Sequence, residues 1–167
     1  MFISNKKEKG FTLVELLVVI SIIGILATLL LLQLNVARQR ARDATRIAHM
    51  NQVRTAVELY FDDQGTYPQI ATYAGLSAVL VPTYLTLLPA DPLNSGFYTY
   101  GYAYSGQTKY QLAAELEQFA AALNSDADIN STGGGWTGET VNGGVDLRAN
   151  CVPSTADDCV YDQGQSQ

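Results

Sequence analysis

The chain has 167 residues and a formal net charge of −6, which suits one ordinary domain and is too short for two. The charge is unevenly spread: five arginines stand against one aspartate between Arg38 and Arg54, whereas thirteen acids stand against Lys109 and Arg148 from Thr55 onward. Phosphate binding needs clustered Lys and Arg, so no nucleic-acid grip is predicted for the distal part.

Residues 11–32 are apolar, small or hydroxylic throughout, except for Glu15. As a helix this run extends ~33 Å, enough to cross a hydrocarbon core of ~30 Å. A secretory signal peptide fits poorly, because the run exceeds an apolar region of ~7–15 residues and no small-x-small cleavage site follows. A plain membrane anchor fits the length but leaves two features without a reason. Lys6, Lys7 and Lys9 precede the span while Arg38, Arg40 and Arg42 follow it, so the positive-inside rule gives no orientation. Glu15 has no cation within the run, although an ionised carboxylate in hydrocarbon is costly. A cut between Gly10 and Phe11 would create an α-amino group four residues before Glu15, one helical turn away. Amine and carboxylate then pair within one chain or between staggered neighbours. Pairing between neighbours would also set axial register.

The stretch "KGFTLVELLVVISIIGILA" resembles the N-terminal signature of type IV pilins and type II secretion pseudopilins over about the first thirty residues. The resemblance implies that a prepilin peptidase and N-methyltransferase cuts after Gly10, that N-methylated Phe11 becomes the mature terminus, and that Glu15 meets the Phe11 amine of an adjacent subunit. It further implies a single-pass precursor in the cytoplasmic membrane, leader inside and acidic head outside, that later enters an extracytoplasmic filament. The implied partners are copies of the same chain in a helical homopolymer, minor pilins or pseudopilins, an inner-membrane assembly platform and the lipid bilayer. Many members of that family carry a proline eight residues after the position of Gly24, where this chain has Leu32. Gly24 itself weakens a helix by about 1 kcal/mol relative to Ala.

Residues 34–61 contain no Gly or Pro and many good helix formers, so the helix is expected to continue to about residue 62. Ile47, Met50, Val53, Val57 and Tyr60 recur every three or four residues, an apolar stripe that fits against a sheet. Arg38, Arg42 and Arg46 form a second stripe, readable as a solvated face or as contacts to lipid headgroups and acidic neighbours. Arg40 with Asp43 and Arg54 with Glu58 are spaced as local helix pairs. His49 has no second His or Cys at ligand spacing, which argues against a metal or catalytic role. "DDQGTYP" at 62–68 supplies a stop signal of Gly followed by Pro. Together with the preceding aromatic pair it resembles the helix end of G-type major pseudopilins, and "LLPADPLNSGFYTY" at 87–100 resembles their Pro-Asp-Pro turn and first strand. Between them, "AGLSAVLVPTYL" reads as a short helix stopped by Pro82.

Residues 97–104, "FYTYGYAY", alternate with period two, which predicts a half-buried strand. A hairpin with residues 110–117 is expected, although Ala113, Ala114 and Glu115 have helical propensity. The tyrosine row reads as sheet packing rather than a ligand-stacking surface. From Asn124 onward the chain is polar and Gly-rich and is expected to form loops. Asp126, Asp128 and Asn130 alternate as at the start of a calcium loop, but Ser131 stands where such a loop needs Gly and Thr137 where it needs a bidentate Glu. Calcium is therefore a candidate ligand at best, and no other cofactor is implied. Cys151 and Cys159 are the only cysteines. Outside the cytoplasm a lone pair of this kind is expected to form a disulfide.

No Ser-His-Asp set, phosphate-cradling loop or HExxH motif is present, which points away from an enzyme. The expected fold is α+β and pilin-like: a long N-terminal α-helix packed on a small antiparallel β-sheet. The expected divisions are a leader at 1–10, a membrane and filament-core helix at 11–33, the outer half of the helix at 34–62, and a globular head at 63–167. The function expected from the resemblance is a filament-forming subunit, major-pseudopilin-like, of a type II secretion system. The alternative is a type IV pilin of a surface pilus for adhesion, motility or DNA uptake.

Overall fold

The structure, a computed structural model, describes residues 10–144 and 159–166. Two compact units divide the chain, Met1–Arg38 and Gln39–Gln167. One helix, α1 (Leu13–Gln64), runs through 52 residues without a break at Gly24. It stops where the sequence predicts: Gly65 takes φ 71°, and its N–H donates to the Phe61 carbonyl at 2.7 Å. Such a left-handed glycine satisfies a carbonyl that the helix end would leave open.

In the head unit, Met50, Val53, Ala56 and Val57 of α1 are at most 1% exposed. They join Leu76, Leu80, Tyr102, Tyr110 and Leu112 in one core. Each fully buried side chain of this size contributes about 1.5–3 kcal/mol relative to exposure, so the predicted apolar stripe fixes which helix face meets the sheet. The predicted short helix is a 3₁₀ turn at Ala74–Leu76 followed by α2 (Ser77–Leu80), and Val81 before Pro82 is already extended.

The sheet comprises β1 (Gly101–Ser105), β2 (Lys109–Glu115), β3 (Thr137–Gly138) and β4 (Val160–Gln165) in the order β3-β1-β2-β4, all neighbours antiparallel. The expected hairpin is present, with Tyr104 opposite Tyr110 and Tyr102 opposite Leu112. β2 forms despite its helical propensity because β1 and β4 pair with it on both edges, and ladder formation outweighs local preference.

Two expectations need correction. The strand expected over 97–104 begins only at Gly101. Ahead of it, Ser95 and Tyr98 exchange backbone hydrogen bonds of 3.2 and 3.1 Å around a tight turn, with Asn94 at φ 46° and Gly96 at φ 61°. The polar tail is also not all loop, because β3 and β4 lie within it. β4 packs so closely on β2 that a Cβ at Gly164 would collide with the Tyr110 carbonyl.

The tyrosines do serve packing, and each buried hydroxyl finds a partner, as an apolar ring with a polar tip requires. Tyr67 and Tyr110 both donate to Glu58, at 3.0 and 2.6 Å, Tyr102 to the Pro68 carbonyl at 2.8 Å and Tyr73 to the Pro89 carbonyl at 2.7 Å. Burial, reinforced by Glu58, pushes the Tyr67 hydroxyl up to about 12.

Candidate assembly site

In the N-terminal unit the large apolar residues described from Phe11 to Leu34 are exposed. Phe11 is 80% exposed and Leu30 70%, so this surface calls for lipid or other chains. Its hydroxyls are prepared for such surroundings: Ser21 Oγ donates to the Leu17 carbonyl at 2.8 Å and Thr28 Oγ1 to the Ile25 carbonyl at 2.7 Å. Hydroxyls bonded to their own helix leave no open donor in hydrocarbon. α1 is the one helix among the described residues long and apolar enough to cross a membrane.

Gly10 and Phe11 lie exposed just before α1. Glu15 sits in its first turn and closes a reciprocal cap with Thr12. Its Oε2 accepts from the Thr12 N–H and from the Thr12 hydroxyl, both at 2.8 Å, while Thr12 Oγ1 accepts from the Glu15 N–H at 3.2 Å. This is a capping box, worth about 0.5–2 kcal/mol to the helix start. The spacing Thr12-x-x-Glu15 signals it in the sequence, where the amine pairing alone was read from Glu15. The carboxylate therefore has partners before any new amine is created.

The second polar centre is in the head, and the sequence did not single it out. Arg46 is 0% exposed. Its Nε lies 2.6 Å from Asp91 Oδ2, and its Nη1 lies 2.7 Å from Asp43 Oδ1 and 2.9 Å from Glu117 Oε1. Its guanidinium also stands 4.6 Å over the Tyr98 ring. Arg42 Nε donates to Glu117 Oε1 at 2.6 Å. Asp43 accepts from the backbone N–H groups of Glu117 and Gln118, both at 2.9 Å. One face of α1 thus grips both the Asp91 turn and the chain leaving β2. Arg42 and Arg46 thus bind acids of their own chain, and Arg46 is not part of a solvated stripe. The two local helix pairs also fail to form: Asp43 belongs to Arg46, Arg54 donates to Gln163 at 2.6 Å, and Glu58 serves the two tyrosines.

Burial opposes ionisation of Asp91, but hydrogen bonds from Arg46 and from the Leu93 and Asn94 N–H groups outweigh it and hold the carboxyl below its usual range. Burial likewise opposes ionisation of Glu117, and Arg42 and Arg46 pull it below its usual value. Asp43 and Asp162 are pushed up by burial, against the hydrogen bonds they accept. The two lowered groups contribute stability that is full above the unfolded carboxylate value of about 4 and lost as pH falls through their folded values. The two raised groups cost stability near neutrality, and protonation relieves that cost as pH falls towards about 4. The melting temperature of the head should therefore peak in mildly acid solution and fall below about pH 4. Thermal unfolding of detergent-solubilised chain across this range checks it, and a steady loss from pH 7 downward would contradict it.

Of the calcium candidates, Asp126 and Asp128 both lie against Asp162. Asn130 Oδ1 accepts from the Thr132 N–H at 3.0 Å and from its hydroxyl at 2.6 Å, and Asp126 Oδ2 accepts from the Asp162 N–H at 3.1 Å. Asp128 stands at φ 48°. Among the described residues no group of three or more His, Cys, Asp or Glu is arranged to hold a metal. Asp162 is instead a carboxylate that locks β4: its Oδ2 accepts from Gln111 Nε2 at 2.8 Å and from the Ile129 N–H at 2.9 Å. His49 faces the Tyr100 hydroxyl at 2.9 Å. Cys159 is 0% exposed at the start of β4, and its expected partner Cys151 lies outside the described residues.

Residues 5–31 match the family described as the prokaryotic N-terminal methylation motif. The chain is 45% identical over 62 residues to the type IV wide pilus major component PilA4 of Thermus thermophilus, across 37% of this chain and 47% of that protein. The similarity thus spans about half the length of that relative. It is 34% identical over 107 residues to the type II secretion system core protein G of Escherichia coli, across 56% of this chain and 72% of that protein. Against core protein G of Aeromonas hydrophila it is 28% identical over 145 residues, across 79% of this chain and 94% of that protein. No solved structure matches.

Proposed function

Because the chain belongs to the family of type IV pilins and type II secretion pseudopilins, we propose that it is a structural filament subunit, not an enzyme, stored in a membrane as a precursor and assembled after its leader is removed. The observation that carries this reading is the bare apolar helix headed by a capped carboxylate at Glu15. A prepilin peptidase cuts after Gly10 and a methyl group is added to the new Phe11 amine. That amine meets Glu15 of a neighbouring copy, and the charge pair sets axial register while the apolar surfaces leave lipid for one another. The leader faces the cytoplasm and the acidic head the other side. The filament incorporates minor subunits of the same family and grows from a platform in the inner membrane.

Within this family a type II secretion pseudopilus is the preferred reading. Similarity to the Aeromonas core protein G extends over 79% of the chain, against 37% for the pilus component. A surface pilus is the second reading, favoured by the higher identity to PilA4 and by the long Gly- and Asn-rich segment with its cysteine pair. Deleting the chain from its host separates them: loss of protein export supports the first, and loss of surface fibres with export intact supports the second.

Gly10→Val tests the shared core. A β-branched side chain should block cutting, leaving the precursor about ten residues longer on a denaturing gel and the filament unbuilt. Normal trimming of this variant would count against peptidase recognition at Gly10.

The cysteines belong to the same proposal. Non-reducing digestion should yield a peptide pair joining Cys151 to Cys159, a link contributing ~2–3 kcal/mol. Free thiols in envelope-isolated protein would refute it.

A further inference from the structure

One face of α1 within the head unit is largely exposed, its only side-chain partners among the described residues being Tyr161 on Asn51 and the tyrosines Tyr67 and Tyr110 on Glu58. At 100° per residue, Arg40, Ala44, Ala48, Asn51, Thr55 and Asp62 fall within about 80° of one another, and all six are exposed. This face lies opposite the one carrying Met50, Val53 and Val57. From Ala44 to Thr55 its side chains are short, so a second helix can approach closely there.

Both ends break local rules without local compensation. Arg40 is exposed and has no ion pair among the described residues, because Asp43 is taken by Arg46 and by two backbone N–H groups. Asp62 stands in the last turn of α1, where the helix dipole disfavours a carboxylate, and no basic residue lies in that turn. An unpaired cation at one end of a smooth face and an ill-placed anion at the other are complementary if two copies are offset along the axis.

We propose that this face docks a second copy of the chain, parallel and displaced along the helix axis so that Arg40 of one copy pairs with Asp62 of the next. Twenty-two residues separate the two positions, so the displacement is about 33 Å. The Phe11–Glu15 pair spans only one turn, about 6 Å. The two contacts therefore join each copy to different neighbours. A contact between two different patches that carries such an axial displacement cannot close into a ring and propagates as an open helical array. This inference rests on the filament reading above and adds to it a second, more distant neighbour and the residues that select it.

The test is a charge exchange in the full chain, expressed with its own assembly machinery. Arg40→Asp and Asp62→Arg should each reduce sedimentable polymer about tenfold or more, because each sets like charges side by side. The double exchange should restore polymer to within about threefold of wild type. In parallel, Arg40→Cys combined with Asp62→Cys should give an oxidised ladder whose cross-linked peptides join position 40 to position 62 of different copies. Single variants that assemble normally, a double exchange that does not recover, or cross-links only to another polypeptide would each overturn the proposal while leaving wild-type polymer intact. Failure of the wild-type chain itself to polymerise would overturn the filament reading as well.

Discussion

Arg46→Ala should destabilise the head by about 3–5 kcal/mol. That is a large part of the roughly 5–15 kcal/mol by which ordinary domains are stable. Arg46 has no exposure and is bonded to Asp43, Asp91 and Glu117 at 2.6–2.9 Å. Its removal leaves three carboxylates crowded in a buried site with too few donors. Arg46→Lys keeps the charge but loses the planar fork that spans Asp91 and its two neighbours, so an intermediate loss is expected. Arg42→Ala removes two hydrogen bonds to Glu117 from a partly exposed side chain and should cost only about 1 kcal/mol. Urea unfolding followed by near-ultraviolet circular dichroism of the head tyrosines would rank the three. Equal small losses would mean that the cluster does not hold α1 to the Asp91 turn.

Glu15→Gln should leave membrane insertion and trimming intact while filament assembly fails or slows sharply. The neutral side chain is easier to hold in lipid than a carboxylate, and the bond to be cut lies before Phe11. Glutamine also serves at the third position of a capping box, so the cap with Thr12 survives. What disappears is the charge awaiting the Phe11 amine. Each chain then carries an unpaired cation into an apolar bundle, a mismatch worth several kcal/mol per subunit. Glu15→Asp should retain partial assembly through a shorter reach. Thr12→Ala should weaken only the helix start, by about 0.5–2 kcal/mol. Normal filaments from trimmed Glu15→Gln subunits would remove the charge pair from the assembly mechanism.

What the sequence disclosed followed from local chemistry. The end of α1 at Gly65 and the buried stripe of Met50, Val53 and Val57 are written within a few neighbouring residues, as is the unusual position of Glu15. The features it concealed depend on distant partners. Asp91 and Glu117 stand 45 and 71 positions from Arg46, and no local pattern marks them as its ligands. β4 has only Val160 and Tyr161 as strong strand formers. It becomes a strand through six paired positions on β2, with Gly164 allowing the close approach. Conversely, the tyrosine alternation over 97–104 misled in its first half. Asn94 and Gly96 supply positive φ there, and turn chemistry outweighs period two. The capping box was legible but hidden behind a more demanding question about the same carboxylate.

The most direct measurement is mass spectrometry of the N-terminus in sedimented polymer. Chains beginning at N-methyl-Phe11, with residues 1–10 absent, are the predicted result. Polymer built from chains that retain Met1 would contradict the filament mechanism at its first step.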